Sequence, residues 1–281
     1  MRVEFTKMHG CGNDYVYIDG SRFLLPVQDK PEFVRRVSDR HFGVGSDGVI
    51  FINPSQRADF EMEMWNADGT RAEMCGNGIR CVAKYVYDKR LTDRIHLLIE
   101  SAGQMKSLTL IVADGKVREV GVDMGAPVLT PEQIPVRYDK MPVVNMPLTV
   151  LGKEYRATCV SMGNPHAVIF VEDVDSLDLE KIGPYFENHE AFPNRINTEF
   201  VKVIDEHTVQ MRVWERGTGE TLACGTGCCA TAVACVLNNL TRPEITVKVR
   251  GGEIKINYDQ NADKVYMTGP AETVFDGVLE L

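Results

Sequence analysis

No stretch of these 281 residues approaches the eighteen or so apolar residues of a membrane span, and the opening run Met1 to Lys7 has no apolar core of a secretory leader. A membrane partner is therefore not expected, and the cytoplasm is the expected location. Long basic tracts are missing too. Thirty-one Lys and Arg stand against forty Asp and Glu, a net charge of −9, and no run of positive charge is long enough to follow a phosphate backbone. Nucleic acid is thus not an expected partner. The chain has no Cys-x-x-Cys, and the pairs Cys75/Cys81 and Cys228/Cys229 lack the spacing of a tetrahedral centre, so no metal is expected. Eight cysteines in a chain of this length with no visible leader suit free thiols in a reducing compartment better than a disulfide frame.

What the chain does have is one arrangement written twice. Met74-Cys75-Gly76-Asn77-Gly78 returns as Ala223-Cys224-Gly225-Thr226-Gly227, with the second cysteine 149 residues after the first. In both copies small and apolar residues follow, which predicts a cysteine at the mouth of a helix. Uncovered N–H groups and the helix dipole favour an anion there. Such a place is expected to lower a thiol's pKa and to hold a carboxylate. Cys224, Cys228 and Cys235 share one helical stripe, so the latter two are expected in the core.

The flanking segments repeat as well. Val3 to Met8 alternates as a strand and runs into a Gly-rich turn carrying Asn13; Ser161 to His166 answers it, with Gly12-Asn13 matched by Gly163-Asn164 at an offset of 151. Asn197 to Val201 is aligned with Asp47 to Phe51 at an offset of 150. Trp65 and Trp214 each stand ten residues before their cysteine. Asp29 to Arg40 and Gly76 to about Asp88 are expected as helices, and Gly43 to Gly48 as a turn lining the site. Strands are expected at 59–65, 95–100, 105–112 and 117–122 in the first half, and at 207–214, 244–250, 253–258 and 264–267 in the second. Five prolines between Pro127 and Pro147 mark a crossing between domains. A period near 150 is too long for a solenoid, so the pattern predicts a duplicated domain with an active site at the interface of the halves. Two thiols facing one carbon can relay protons, one removing and the other delivering, which inverts a stereocentre; His166 and Glu215 are the nearby titratable groups.

These motifs carry a specific resemblance. Asn13 in Gly-Asn-Asp, Asn66-Ala67-Asp68-Gly69, Cys75-Gly76-Asn77-Gly78, Gly163-Asn164-Pro165-His166, the run Glu215-Arg216-Gly217 to Cys224-Gly225-Thr226-Gly227, and Gly269-Pro270-Ala271 together resemble the diaminopimelate epimerase family. The resemblance spans essentially the whole chain. It implies a cofactor-independent, pyridoxal-free isomerase that interconverts LL- and meso-diaminopimelate for lysine and cell-wall synthesis. In the LL-to-meso direction it implies Cys224 taking the proton and Cys75 giving it, with His166 and Glu215 tuning the thiols. Substrate contacts are implied for Asn13, Asn66, Gly76, Asn77, Asn164, Asn197, Glu215, Arg216, Gly225 and Thr226.

The implied fold is of the α/β, more narrowly α+β, type: two pseudo-symmetric domains, each a mostly antiparallel sheet curled around a central helix. Expected boundaries are 1–124 plus 270–281 for the first domain and 125–269 for the second, the last strand, near Thr273 to Leu279, returning to the first. Any self-association is expected to be a homodimer. Gly48 departs from the family pattern, since many members carry a substrate-reaching Gln there. A proline or hydroxyproline racemase is the alternative, opposed by Asn77, where that family resembles Cys-Gly-His-Gly, and by Arg216, which suits a distant second carboxylate. A non-catalytic thiol or metal-binding module is the third reading.

Overall fold

The computed structural model describes residues 2–72 and 75–280. Cα proximity divides the chain into two compact units, residues 1–122 with 269–281, and residues 123–268. Met74 of the first cysteine motif lies outside the described residues.

The first unit holds β1 (Arg2–Gly10), β2 (Asn13–Asp19), α1 (Lys30–Ser38), β3 (Gly48–Asn53), β4 (Phe60–Asn66), α2 (Gly76–Asp88), β5 (His96–Ser101), β6 (Gln104–Ala113) and β7 (Lys116–Gly125), the last reaching into the linker. The second holds β8 (Met146–Val150), β9 (Lys153–Ser161), β10 (Pro165–Phe170), α3 (Leu179–Glu187), β11 (Asn197–Asp205), β12 (Thr208–Glu215), β13 (Gly219–Thr221), α4 (Gly225–Leu237), β14 (Glu244–Val249), β15 (Gly252–Asp259) and β16 (Lys264–Pro270). The last strand, β17 (Glu272–Glu280), pairs antiparallel with β1 and belongs to the first unit.

Each unit has the same internal order. In the first, the sheet runs β17-β1-β2-β3-β4-β5-β6-β7; β2–β3 and β4–β5 are parallel, bridged by α1 and α2, and the other pairs are antiparallel. In the second it runs β8-β9-β10-β11-β12-β14-β15-β16, with β10–β11 and β12–β14 parallel, bridged by α3 and α4. The parallel pairs need helical crossovers because their ends lie far apart, whereas tight turns suffice for the meanders. Thus β17 fills in one unit the place that β8 fills in the other.

The registers correct one alignment made from the sequence. Trp65 stands opposite Val49, and Trp214 opposite Thr198. Gly48 stands opposite Tyr15, and Asn197 opposite His166. The counterpart of Asn197 is therefore Gly48 rather than Asp47, and the offset along this strand is 149. A slip of one residue turns every side chain to the wrong face. With the register set, Ile50 corresponds to Glu199, Tyr15 to His166 and Asn66 to Glu215.

Helix α4 is apolar on every side, as a helix surrounded by its sheet must be; it packs on β9, β10, β11, β14 and β15. Among its buried residues are Cys228 and Cys235, as their shared stripe predicts. Helix α2 buries two long cations, Arg80 and Lys84, and Lys84 bonds Asp88 at 2.8 Å and the Val117 carbonyl at 2.6 Å. Both helices end alike, with Arg90 and Asn239 in the left-handed region at φ 61° and 55°. On the other face of the sheet, α1 covers Val16, Ile18, Val49 and Phe51, and α3 covers Cys159, Ile169 and Phe200. Among the elements not anticipated are β8, β9, β13 and α3. Pro184 inside the nine residues of α3 hid it, and Pro147 hid β8, an edge strand, where a missing N–H costs no ladder bond. No described helix is long and apolar enough to cross a membrane.

Candidate active site

Cys75 and Cys224 occupy the same backbone position. Each is an extended N-cap, at φ −132°, ψ 116° and φ −121°, ψ 111°, of a 13-residue helix. Each sulfur accepts the N–H of the glycine three residues on, Gly78 at 3.3 Å and Gly227 at 3.4 Å. The first intrahelical bonds run from Ile79 and Cys228. The N–H groups of Gly76, Asn77, Gly225 and Thr226 precede them and are orphan donors of the helix starts. All eight cysteines are free thiols.

The Cys75 thiol meets an amide, donating to Asn13 Oδ1 at 3.1 Å. The Asn13 amide is turned that way because its Nδ2 donates to Asp47 Oδ2 at 2.8 Å, and only a nitrogen can donate to a carboxylate. Asp47 is held by Arg40 at 2.8 Å and by the N–H of Asp14 at 3.1 Å. Burial pushes the Asp14 carboxyl up, but its bonds to Arg40 and Lys7 outweigh that and hold it below the usual range. The expected site-lining turn 43–48 thus contributes an anchor, Asp47. Asn77 is buried and its Oδ1 accepts from Arg80 at 2.8 Å. Arg80 itself is fully buried and also reaches the carbonyls of Gly76 and Pro270, both at 3.2 Å. Asn66 ends β4 and donates to Thr70 at 3.1 Å.

Gly48 explains its own departure from the family pattern. A Cβ there would lie 2.0 Å from the Trp65 carbonyl oxygen, so no side chain can be accommodated on this backbone. Ser46 is spent locally, donating to the Gly48 carbonyl at 2.8 Å.

Around Cys224 the neighbours are ionisable. His166 and Glu199 are fully buried, and their ligand atoms and the Cys224 sulfur lie within 4.8 Å of one another. His166 Nδ1 meets Glu199 Oε1 at 2.7 Å, and Nε2 meets Asn164 Oδ1 at 3.0 Å. Both ring nitrogens are taken by hydrogen bonds, so the cluster is built to orient an imidazole rather than to coordinate an ion. Asn197 donates to the Pro165 carbonyl at 2.8 Å and accepts the Arg216 N–H at 2.9 Å, tying three loops together. Cys224 also meets the Thr226 hydroxyl at 3.4 Å.

These surroundings overturn one expectation. Burial, then the charges of Glu215 and Glu199, push the Cys224 thiol well above its ordinary value, against the smaller opposing effect of Thr226 and the Gly227 N–H. A helix mouth alone would lower it; two carboxylates and desolvation win. Burial likewise pushes the Glu215 carboxyl up, although Thr221 donates to it and His166 opposes the shift. Arg216 turns its guanidinium to the Asn194 carbonyl at 3.2 Å. Glu220, a plausible surface partner for it, is taken instead by Arg212 at 2.8 Å and Arg250 at 3.0 Å.

Sequence reasoning missed Glu199 and Arg80. The signal for Glu199 was an acid directly before the apolar pair Phe200-Val201 near the start of β11, and the misaligned offset concealed that Ile50 holds the same place. Arg80 stands between Ile79 and Cys81 and shares a stripe with Asn77 and Lys84 at i−3 and i+4, a mark of a buried polar role.

Solved structures share this fold at low identity. A hydroxyproline epimerase from Agrobacterium vitis covers 99% of the chain with 91% of its own at a TM-score of 0.71 and 13% identity. A PhzF-family phenazine biosynthesis protein from Bacillus anthracis gives 0.71 and 15% with full coverage of both chains. These likenesses show the fold; the class, an epimerase and so an isomerase, is set by a family model and by relatives about half identical.

The particular family comes from closer relatives. A model described as diaminopimelate epimerase matches residues 5–130 and 158–274. A diaminopimelate epimerase of Acetivibrio thermocellus is 55% identical over 279 residues, 99% of either chain, and one of Methanococcus maripaludis is 52% identical over 99% of this chain and 100% of its own. The chain belongs to the diaminopimelate epimerase family.

Proposed function

We propose that the chain interconverts LL- and meso-diaminopimelate by a cofactor-independent relay between Cys75 and Cys224. The observation that carries this reading is the identical N-cap placement of both thiols, each beside orphan N–H groups suited to a carboxylate. The substrate's reacting carboxylate takes the N–H groups of Gly76, Asn77, Gly225 and Thr226, which stabilise charge as it spreads onto the carboxylate oxygens. In the LL-to-meso direction the Cα–H bond breaks toward the Cys224 sulfur and a new Cα–H bond forms from the Cys75 S–H on the opposite face. The reverse direction exchanges the roles.

The difference in surroundings supports this order. Cys75 rests as a donor to Asn13, ready to deliver a proton. Cys224 sits among groups able to take its own proton away, and the substrate ammonium, arriving beside Glu215, neutralises the charge that kept that proton in place. Asn66, Asn164 and Asn197 complete the polar rim, and Arg216, engaged with only a backbone carbonyl in the described structure, takes the distal carboxylate. The enzyme works in the cytoplasm, as a homodimer if it self-associates, in lysine and cell-wall precursor synthesis. Incubation with LL-diaminopimelate in heavy water tests the reading: meso product with solvent deuterium at the inverted carbon is the expected outcome. Absence of inversion, with turnover of proline or hydroxyproline instead, would overturn it.

A further inference from the structure

Glu199 stands in the second unit where the first has Ile50, and the two side chains meet the same glycine of the helix mouth. A Cβ on Gly78 would lie 2.9 Å from Ile50 Cδ1, and one on Gly227 would lie 2.6 Å from Glu199 Oε1. The carboxylate therefore lies against the first turn of α4, beside the Cys224 sulfur, with no exposure to solvent. One of its oxygens is bonded to His166 Nδ1; the other, Oε2, is buried with no hydrogen-bond partner. A buried carboxylate oxygen left unsatisfied is costly and rarely kept without a use. Its negative potential falls undiluted on the neighbouring thiol.

We propose that Glu199 is a positioning residue for the reaction at Cys224: it fixes the His166 imidazole through Nδ1–H and keeps the Cys224 sulfur protonated in the enzyme without substrate. The proposal rests on the two-thiol reading above and deepens it. A resting thiolate at Cys224 would meet oxidants and water before substrate, and proton removal from the wrong partner would follow. Glu199 prevents this by charge and not by contact, since the groups facing Cys224 are Glu199 from β11, Glu215 from β12, His166 from β10, and the Thr226 hydroxyl and Gly227 N–H from α4. Of the two carboxylates, Glu215 is placed to meet the incoming ammonium, so its effect is relieved on binding. Glu199 is enclosed and its effect persists.

The test is alkylation of Cys75 and Cys224 by iodoacetamide as a function of pH, each site followed by peptide mass spectrometry, in wild type and Glu199→Gln without substrate. Loss of the charge is expected to move the Cys224 midpoint down by at least about one pH unit, a roughly tenfold faster alkylation at fixed pH below it, with the Cys75 midpoint unmoved. A Cys224 midpoint equal to that of the wild type, or equal displacement of both thiols, would overturn the proposal, the latter showing only a loosened fold. Nitrogen-15 spectra of the wild-type imidazoles serve where the variant does not fold: the His166 proton is expected on Nδ1, facing Glu199, and an unprotonated Nδ1 overturns the orientation. Wild-type inversion of diaminopimelate in heavy water is scored separately. Its failure would remove the reaction assigned above, whereas an unshifted Cys224 midpoint in a competent enzyme would remove only the role of Glu199.

Discussion

Ile50, Tyr15 and Asn66 of the first unit stand at the strand positions that Glu199, His166 and Glu215 hold in the second. The backbone is the same in both places and the chemistry is not. In the first unit the cysteine meets an amide oxygen aimed at it by a salt-bridged carboxylate. In the second it meets buried acids and an imidazole. A duplicated fold thus supplies two thiols in one geometry, and substitution at three strand positions divides their labour.

The largest effect should come from removing either thiol. Cys75→Ala and Cys224→Ala are each expected to lower epimerisation at least about a thousandfold, because every turnover needs an acid and a base. Steady-state assays that find one variant near wild type would reduce the comparison to one working mouth. Next in size is Arg216→Met, expected to lower kcat/KM for diaminopimelate at least tenfold if a desolvated bidentate contact of about 2 to 5 kcal/mol is lost. Arg216→Lys should recover little of it, since an ammonium lacks the planar fork; unchanged kinetics in either would leave Arg216 on the surface.

A smaller effect separates the two glycines. In Gly227→Ala the new methyl meets a carboxylate locked by His166 at 2.7 Å, whereas in Gly78→Ala it meets the free end of Ile50. The first should cost about 1 to 3 kcal/mol of stability, the second less than about 1 after the gain of an alanine in a helix. Equal shifts in urea midpoint for the pair would show that Glu199 yields as easily as Ile50. Smallest is the alkaline limb. Burial pushes Cys81 up to about 12 and Cys159 also up from its ordinary 9.0. A thiol whose folded value exceeds its unfolded one contributes stability in full below about 9, and this is lost as pH rises toward the folded value, roughly 1.4 kcal/mol per thiol per unit. Urea midpoints should fall between pH 8 and pH 10, and Cys159→Ala should flatten that fall; a slope the same in the variant would assign it to other groups.

Much of this was legible in the residues. Cys-Gly-x-Gly before a run of small apolar residues predicts a helix mouth wherever it occurs, and α2 spans the expected Gly76 to Asp88. The meanders were visible from their alternation and turns. What escaped was set by packing. Pro184 reads as a helix breaker although α3 tolerates it, and the asymmetry of the two mouths depends on register, which sequence spacing mistook by one residue. The pKa of Cys224 was misjudged for a related reason: the local motif describes the dipole and N–H groups, while the opposing acids come from β11 and β12. Gly48 is the reverse case, a departure from the family pattern whose cause, the Trp65 carbonyl, lies on the neighbouring strand.

The most direct test of two thiols addressing opposite faces is proton exchange without inversion. Each single cysteine variant is incubated in heavy water with LL- or meso-diaminopimelate, and deuterium at the α carbons is followed by NMR. With Cys75 replaced by Ala, Cys224 should still remove and return a proton on its own face, so the LL isomer exchanges with retention and the D centre of the meso isomer does not. With Cys224 replaced by Ala, the D centre should exchange and the LL isomer should not. Inversion by either variant, or exchange of the same isomer by both, would contradict the account.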